Sequence, residues 1–323
     1  MYVELTDRLS GAKLTQWQDL LRLGGLEAEQ MPQKTALLWE DDRLVATGSR
    51  EDNILKYIAV HPDCQGQDLT SSVLSALRQD AFQNGHTHLF LYTKPQNQWM
   101  FTSLFFYPIA KTDKVLLMES KQDGISSFLD KLPADHKGEK IGSIVMNGNP
   151  FTKGHQYLVE TAAKECDFVY LFILSEDKSE FSAETRMAMA KAGTAHLNNV
   201  AVLPTGPYLI SSATFPTYFL KDRENAQTVQ CQLDIAVFTK YFVPKFSITH
   251  RYVGTEPFSP MTNAYNEALK EHLPIPVREI ERLEENGAVI SASAVRKAYK
   301  ENDIDLLRTF LPETTLSYLN KED

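Results

Sequence analysis

Ile141-Gly-Ser-Ile-Val-Met-Asn-Gly-Asn-Pro-Phe-Thr-Lys-Gly-His155 decides how this chain is read. Its opening apolar and small residues spell a buried strand. Asn147-Gly-Asn-Pro150 supplies a turn, and Thr152-Lys-Gly-His155 steps into a helix. Strand, turn and helix N-terminus is where α/β proteins hold phosphate, because the first-turn N–H groups have no intrahelical partner. Gly148 and Gly154 let the backbone come close to an anion, and Thr152 can cap the helix. The helix carries no acid before Glu160, so the positive end of its dipole is left for an anion. His155, as a donor at that end, can stabilise charge building on α-phosphate oxygens during in-line displacement. The loop is not a Walker A loop, since His155 stands where that motif has lysine. Read alone, the stretch also fits an ordinary strand–helix turn with a capping threonine.

Downstream the chain keeps a regular β-α rhythm. Strands are predicted at Phe168–Leu174, Val200–Leu203, Ser247–Val253 and Val277–Glu281. Helices are predicted at Gly154–Glu165, Ala183–His196, Asn225–Phe242 and Thr262–His272, and again from Ser293. Strands alternating with helices imply a parallel, helix-covered sheet with its ligand at the carboxyl ends of the strands. Upstream, Thr35–Glu40 and Arg43–Ser49 flank Asp41-Asp42 as a hairpin, followed by a strand at Tyr57–Val60. A helix is predicted over Thr70–Phe82, a strand at His88–Tyr92, a helix at Gln98–Phe106 and a strand at Lys114–Glu119. Residues 120–139 have linker composition around a short amphipathic piece, Ile125–Leu132. The expected layout is therefore a domain over 1–125, a linker over 126–139 and a second domain over 140–323.

A second motif, Ile290-Ser-Ala-Ser-Ala-Val-Arg296, follows the turn Glu284-Glu-Asn-Gly287 and opens a helix roughly 135 residues beyond the first. Ser293 reads as its N-cap, without a Glu or Gln three residues on to complete a capping box. Arg296 occupies that place and would aim a cation at an anion, as a phosphate clamp does. Gly254-Thr-Glu-Pro257 follows a strand and offers Gly254 and Glu256 beside the same ligand, or a simple turn. Arg186, in Ser182-Ala-Glu-Thr-Arg186, could reach a ligand but reads better as a surface charge. Leu209-Ile-Ser-Ser-Ala-Thr-Phe-Pro216 mixes small hydroxyl and apolar residues and could line a small acid pocket, or form a plain loop.

With 323 residues there is room for two cores. The net charge of −9 argues against nucleic acid or anionic membrane as the main partner. Three scattered cysteines without CxxC spacing imply neither a disulfide framework nor a zinc site, and fit a reducing cytoplasm. No signal-peptide pattern opens the chain, and no apolar run is long enough to span a bilayer. The histidines lack metal spacing except His86-Thr-His88, which reads as a strand start. No metal-ligand motif is expected, because magnesium would arrive on the phosphates of ATP.

These residues carry a resemblance. Thr152-Lys-Gly-His155 resembles the H-x-G-H signature of nucleotidyltransferases, with threonine for the first histidine, and Ile290–Arg296 matches the I-S-x-[ST]-x-[IV]-R signature of that superfamily. With Phe181–Arg186 and Gly206–Leu220 added, the second part is similar to the catalytic domain of the citrate lyase ligases. The resemblance covers essentially the whole chain. It implies a Rossmann-like nucleotidyltransferase domain with C-terminal helices, preceded by a GNAT-like α+β domain. It implies an ATP-dependent, AMP-forming ligase that joins acetate, through acetyl-adenylate, to a thiol. That thiol sits on the phosphoribosyl-dephospho-coenzyme A arm of the acyl carrier subunit of citrate lyase, which is thereby activated. Thr152, His155 and Arg296 would be catalytic. Asn147, Gly148, Asn149, Pro150, Phe151, Lys153, Gly154, Gly254, Glu256, Ser291 and Ser293 would bind the nucleotide.

The GNAT likeness rests on Val60–Leu69 and Asn97–Tyr107. The pyrophosphate loop of that fold wants [QR]-x-x-G-x-[GA]. Gln65 begins it here, but Asp68 and Thr70 stand where small residues are needed, and the Asp68 charge opposes a pyrophosphate. This argues against acetyl-CoA binding in the usual mode and leaves docking of the carrier or its arm as the expected role. The alternative function is a nucleotidyltransferase joining ATP to a phosphorylated metabolite, since both nucleotide motifs would serve it equally.

Overall fold

A computed structural model describes residues 1–176, 179–209, 215–220, 226–256, 260–285 and 287–319. Its internal contacts divide the chain into two units. One is Met1–Gly124 with Pro216–Val229, the other Ile125–Phe215 with Gln230–Asp323.

In the first unit, β1 (Tyr2–Thr6) and α1 (Gly11–Leu23) precede the hairpin β2 (Lys34–Glu40) and β3 (Arg43–Glu51). Asp41 takes a left-handed conformation, as the two-residue Asp-Asp turn requires. Then come β4 (Ile54–Val60), α2 (Leu69–Gln83), β5 (Phe90–Thr93), α3 (Gln98–Ser103), β6 (Tyr107–Lys111) and β7 (Leu116–Glu119). The seven strands run β1-β2-β3-β4-β5-β7-β6. Every pairing is antiparallel except β4 with β5. Val73, Leu74 and Leu77, the helical stripe legible in the sequence, are buried on the sheet. The sequence reading passed over β1, α1 and β6, whose mixed polar composition hides the period.

Helix α4 (Gly124–Leu129) leads into the second unit, which continues with β8 (Ile141–Met146), α5 (Lys153–Glu165), β9 (Phe168–Ile173), α6 (Ala183–Thr194) and β10 (Val200–Pro204). Helix α7 (Ala226–Val237) runs on through one π-helical turn, Phe238–Phe242, into the short α8 (Val243–Lys245). There follow β11 (His250–Gly254), α9 (Pro260–His272), β12 (Val277–Ile280) and three terminal helices, α10 (Ala292–Glu301), α11 (Ile304–Phe310) and α12 (Glu313–Leu319). The sheet order is β10-β9-β8-β11-β12 with all strands parallel. Residues Phe168 to Ile173 are buried without alternation, as a strand covered on both faces must be.

Strand order reverses beside β8: the chain proceeds outward through β9 and β10, then returns to the other side as β11. That reversal is the switch point at which such sheets open a crevice. β8 pairs with β9 over six residues, Ile141 to Met146, but with β11 only at Gly142 and Ser143. The carboxyl halves of β8 and β11 therefore part, and the loop Asn147–Thr152 lies at their opening.

One core contact fixes that loop's depth. Phe151 is fully buried in the cluster built by α5, α6 and the terminal helices. A Cβ at Gly193 of α6 would sit 2.5 Å from the Phe151 ring. Gly193→Ala is therefore expected to destabilise the protein by about 1–3 kcal/mol, the usual cost of overpacking. Chemical denaturation measures this; unchanged stability would show that the ring has room to shift.

Candidate functional site

The loop after β8 is held by its carbonyls. Arg186, fully buried on α6, donates through Nη1 to the carbonyls of Asn147 (2.8 Å) and Leu174 (2.9 Å), and through Nε to that of Phe181 (3.1 Å). Nη2 donates to the Glu176 carbonyl, and Nη1 also reaches Asn147 Oδ1. Arg296 Nη1 donates to the Asn149 carbonyl at 2.7 Å. Thr315 Oγ1 donates to the Phe151 carbonyl at 2.9 Å. Carbonyls 147, 149 and 151 are thus each committed to a donor from a distant part of the chain. Asn149 Oδ1 accepts from Phe181 N–H (3.1 Å), and Asn147 Nδ2 donates to Ser179 Oγ (3.1 Å). Gly148 adopts a φ of +60°, a conformation cheap for glycine alone.

Thr152 is the N-cap of α5, and with His155 it closes a capping box. Thr152 Oγ1 accepts from His155 N–H at 3.3 Å, and Thr152 N–H donates to His155 Nδ1 at 3.0 Å. Histidine here plays the part glutamate or glutamine usually takes. A ring whose Nδ1 accepts a backbone N–H must carry its proton on Nε2 when neutral. Burial first, and then the positive charge of Arg282, push the His155 pKa down to about 4. The ring lies 5.7 Å from Phe151 at an interplanar angle of 28°, so its orientation is fixed on both sides. The box uses two of the first-turn donors. The amides of Lys153 and Gly154 have no partner among the described residues.

The second motif arrives at the same place. Ser291, not Ser293, is the N-cap of α10: its hydroxyl accepts from Ala294 N–H at 3.1 Å. The expectation of a Ser293 cap is corrected by one half-turn, because the helix begins at Ala292. Ser293 Oγ instead accepts from Arg296 Nη2 at 3.0 Å, so Arg296 is held between its own helix and the Asn149 carbonyl. Gly154 completes the join, for a Cβ there would meet Ile290 at 3.5 Å.

Other expected residues sit differently. Lys153 turns away from the helix end: Nζ donates to the Thr309 carbonyl at 2.6 Å and lies 3.5 Å from Glu285. Glu256, beyond Gly254 at the end of β11, is ion-paired with Arg282. Arg186 is corrected from surface charge to buried anchor, since a guanidinium satisfied by carbonyls tolerates burial. Pro150 follows Asn149 through a cis peptide bond. Ile210–Thr214 and Pro257 lie outside the described residues. In the first unit, Asp68 is the left-handed N-cap of α2 and makes no cap hydrogen bond through its side chain.

Sequence reasoning missed Arg282 and Thr315. Arg282 Nε donates to the Thr255 carbonyl at 2.6 Å, and its own N–H donates to Thr255 Oγ1. The only local signal for it was its place just past β12. Nothing local marks Thr315. Among the described residues no cluster of His, Cys, Asp or Glu builds a metal site, and no helix is long and apolar enough to cross a membrane.

The chain is similar to known proteins along most of its length. A family model described as the citrate lyase ligase C-terminal domain matches residues 141–319. A model of the acetyltransferase (GNAT) family matches residues 4–107. The [citrate [pro-3S]-lyase] ligase of Klebsiella pneumoniae is 41% identical over 286 residues, 86% of this chain and 84% of that protein. Its counterpart in Escherichia coli K12 is 34% identical over 97% of this chain and 92% of that protein, and that of Haemophilus influenzae 36% identical over 96% of each.

Protonation at His155 is open to direct measurement. A ring with its pKa depressed to about 4 stays neutral down to pH 5, while the unfolded chain's histidine, near 6.5, binds its proton first. Its contribution to stability is therefore complete above about pH 6.5 and is lost as the pH falls toward 4. ¹⁵N NMR of the ring is expected to show the Nε2–H tautomer with no titration between pH 8 and 5. A midpoint near 6.5 would contradict the capping geometry.

Proposed function

The chain belongs to the citrate lyase ligase family of enzymes, and we propose that its two motifs form one ATP site that makes acetyl-adenylate and passes the acetyl group to a thiol. The observation carrying this reading is the 2.7 Å bond from Arg296 to the Asn149 carbonyl. It joins the loop before α5 to the N-terminal turn of α10, so that His155, the α5 amides and a guanidinium converge at the switch point of the sheet.

ATP binds with its α-phosphate at the N-terminus of α5, where the Lys153 and Gly154 amides donate to it. His155 Nε2–H donates to a non-bridging α-phosphate oxygen and strengthens that bond as charge accumulates. Thr152 is a positioning residue that sets the tautomer. Arg296 supports the β- and γ-phosphates from α10, with Ser291 and Ser293 beside it. Asn147, Gly148, Asn149, Pro150 and Phe151 shape the wall of the site, and Gly254 and Glu256 border it from β11. The Lys153 side chain braces the terminal helices, so its share in the site is its backbone. Magnesium is carried by the phosphates and water.

A carboxylate oxygen of acetate attacks the α-phosphorus, the bond to the α,β-bridging oxygen breaks and pyrophosphate leaves. The carrier's thiolate then attacks the acyl carbon, and AMP departs with the bonding electrons of the mixed anhydride. The acceptor is the phosphoribosyl-dephospho-coenzyme A arm of the citrate lyase acyl carrier subunit, and the product is the acetylated, active lyase. Three free, buried cysteines support a cytoplasmic setting.

The test is exchange of labelled pyrophosphate into ATP. Exchange is expected to require acetate; exchange supported instead by a phosphorylated metabolite would establish the nucleotidyltransferase alternative. His155→Ala is expected to slow it by roughly a hundredfold or more, the size of losing one transition-state donor. Arg296→Lys is expected to raise KM for ATP roughly tenfold, because an ammonium cannot bridge the Asn149 carbonyl and a phosphate as a planar fork does. A wild-type KM would remove Arg296 from the site.

A further inference from the structure

The first unit contains a notch whose origin is visible in its strands. β4 and β5 pair only at Ile54 with Phe90 and Leu55 with Leu91, although β4 continues to Val60 and β5 to Thr93. The cause is a bulge. Tyr57 takes a φ of +54°, and the β3–β4 register slips between Thr47 and Ser49 opposite it. Such a bulge bends one strand away from its neighbour. Beyond Leu55 and Leu91 the two facing edges are left without each other.

Unpaired edges inside a sheet expose peptide groups that must find partners. Phe90 N–H donates to the Asn53 carbonyl at 2.9 Å, so Phe90 presents its peptide groups toward β4. Two residues on, Tyr92 presents its own to the same side. Its carbonyl would have continued the ladder to β4. It accepts instead from the hydroxyl of Tyr218, at 3.0 Å and buried.

Tyr218 comes from the excursion Pro216–Val229, which belongs to this unit although the chain on either side of it belongs to the other. Its ring packs on Tyr57 at 4.8 Å, and Tyr57 is backed in turn by Trp17, edge-on at 5.5 Å. Tyr57 and Trp17 are wholly buried and Tyr218 is 5% exposed. The backbone is fixed as well. Glu27 N–H donates to the Tyr218 carbonyl at 3.1 Å. Thr217 N–H donates to Glu29 Oε1 at 2.7 Å, and Glu29 N–H donates to the Tyr57 hydroxyl at 3.1 Å. The segment and the 27–29 loop thus close over the notch together.

We propose that the β4–β5 notch is a binding site for the chain's own segment Pro216–Leu220, filled by Tyr218, and that the first unit serves to anchor this segment rather than to accept an acyl donor. An acyl-thioester arm lying in the notch would need the same strand-edge peptide groups, and Tyr92's carbonyl and the Tyr57 ring face are already taken. The carboxylate of Asp68 at the N-cap of α2, which would repel a pyrophosphate brought to that helix end, points the same way.

Hydrogen exchange by mass spectrometry on the full chain tests this. Tyr218→Ala is expected to speed exchange in peptides covering 26–30 and 216–220 roughly tenfold or more. Tyr218→Phe, which keeps the ring and removes only the hydroxyl's bond to the Tyr92 carbonyl, is expected to speed it less. Wild-type exchange over 54–60 and 90–93 is expected to ignore millimolar acetyl-CoA. Protection of 54–60 by acetyl-CoA in the wild-type protein would overturn the proposal, as would wild-type exchange at 26–30 in both variants. Should Tyr218→Ala not fold, Tyr218→Phe and the wild-type protein with acetyl-CoA still decide.

Discussion

A buried guanidinium on backbone carbonyls is the constraint from which the second unit's site follows. Arg186 gathers the carbonyls of Asn147 and Leu174, which leave the carboxyl ends of β8 and β9, with those of Glu176 and Phe181. Four carbonyl dipoles on one cation satisfy a charge that would otherwise be far too costly to bury. They also fix where the polypeptide leaves the sheet. Once Asn147 is set, Gly148 can take its left-handed turn, Phe151 can reach the core, and α5 starts at a defined point. Arg296 and Thr315 repeat the device at Asn149 and Phe151, drawing the terminal helices onto the same loop.

The capping box then converts backbone geometry into chemistry. A histidine completing the box with its Nδ1 has only Nε2 left, and that atom must carry the proton. Burial and the nearby Arg282 lower the His155 pKa to about 4, so near neutral pH its Nε2–H offers a hydrogen-bond donor without a full charge. Arg282 itself is spent on Thr255 and Glu256. Its effect on His155 is through the field, across the gap between β8 and β11.

The two units use one principle in opposite ways. In the second, parted strands leave a crevice lined by helix N-termini. In the first, parted strands leave a notch that the chain fills with its own tyrosine. Both openings arise where a sheet fails to pair: at a reversal of strand order in one case and at a bulge in the other.

Much of this was legible in the residues themselves. Val73, Leu74 and Leu77 announced α2, and the unbroken apolar run from Phe168 announced a doubly covered strand, because burial imposes a period that composition records. Thr152 and His155 announced a helix N-terminus, because a cap is a local contact. Local patterns could not reveal that Arg186 is an anchor or that Lys153 turns to the terminal helices. Those outcomes depend on which distant carbonyl comes within reach. Nor does any local pattern say that Tyr218 belongs with β4 and β5. By itself the sequence determined most of the strands and helices and the two motifs, since these follow from short-range periodicity and capping. Only the tertiary structure decided that the motifs meet and that the notch is filled, because hydrogen bonds over 126 and 147 residues are set by the packing of whole elements.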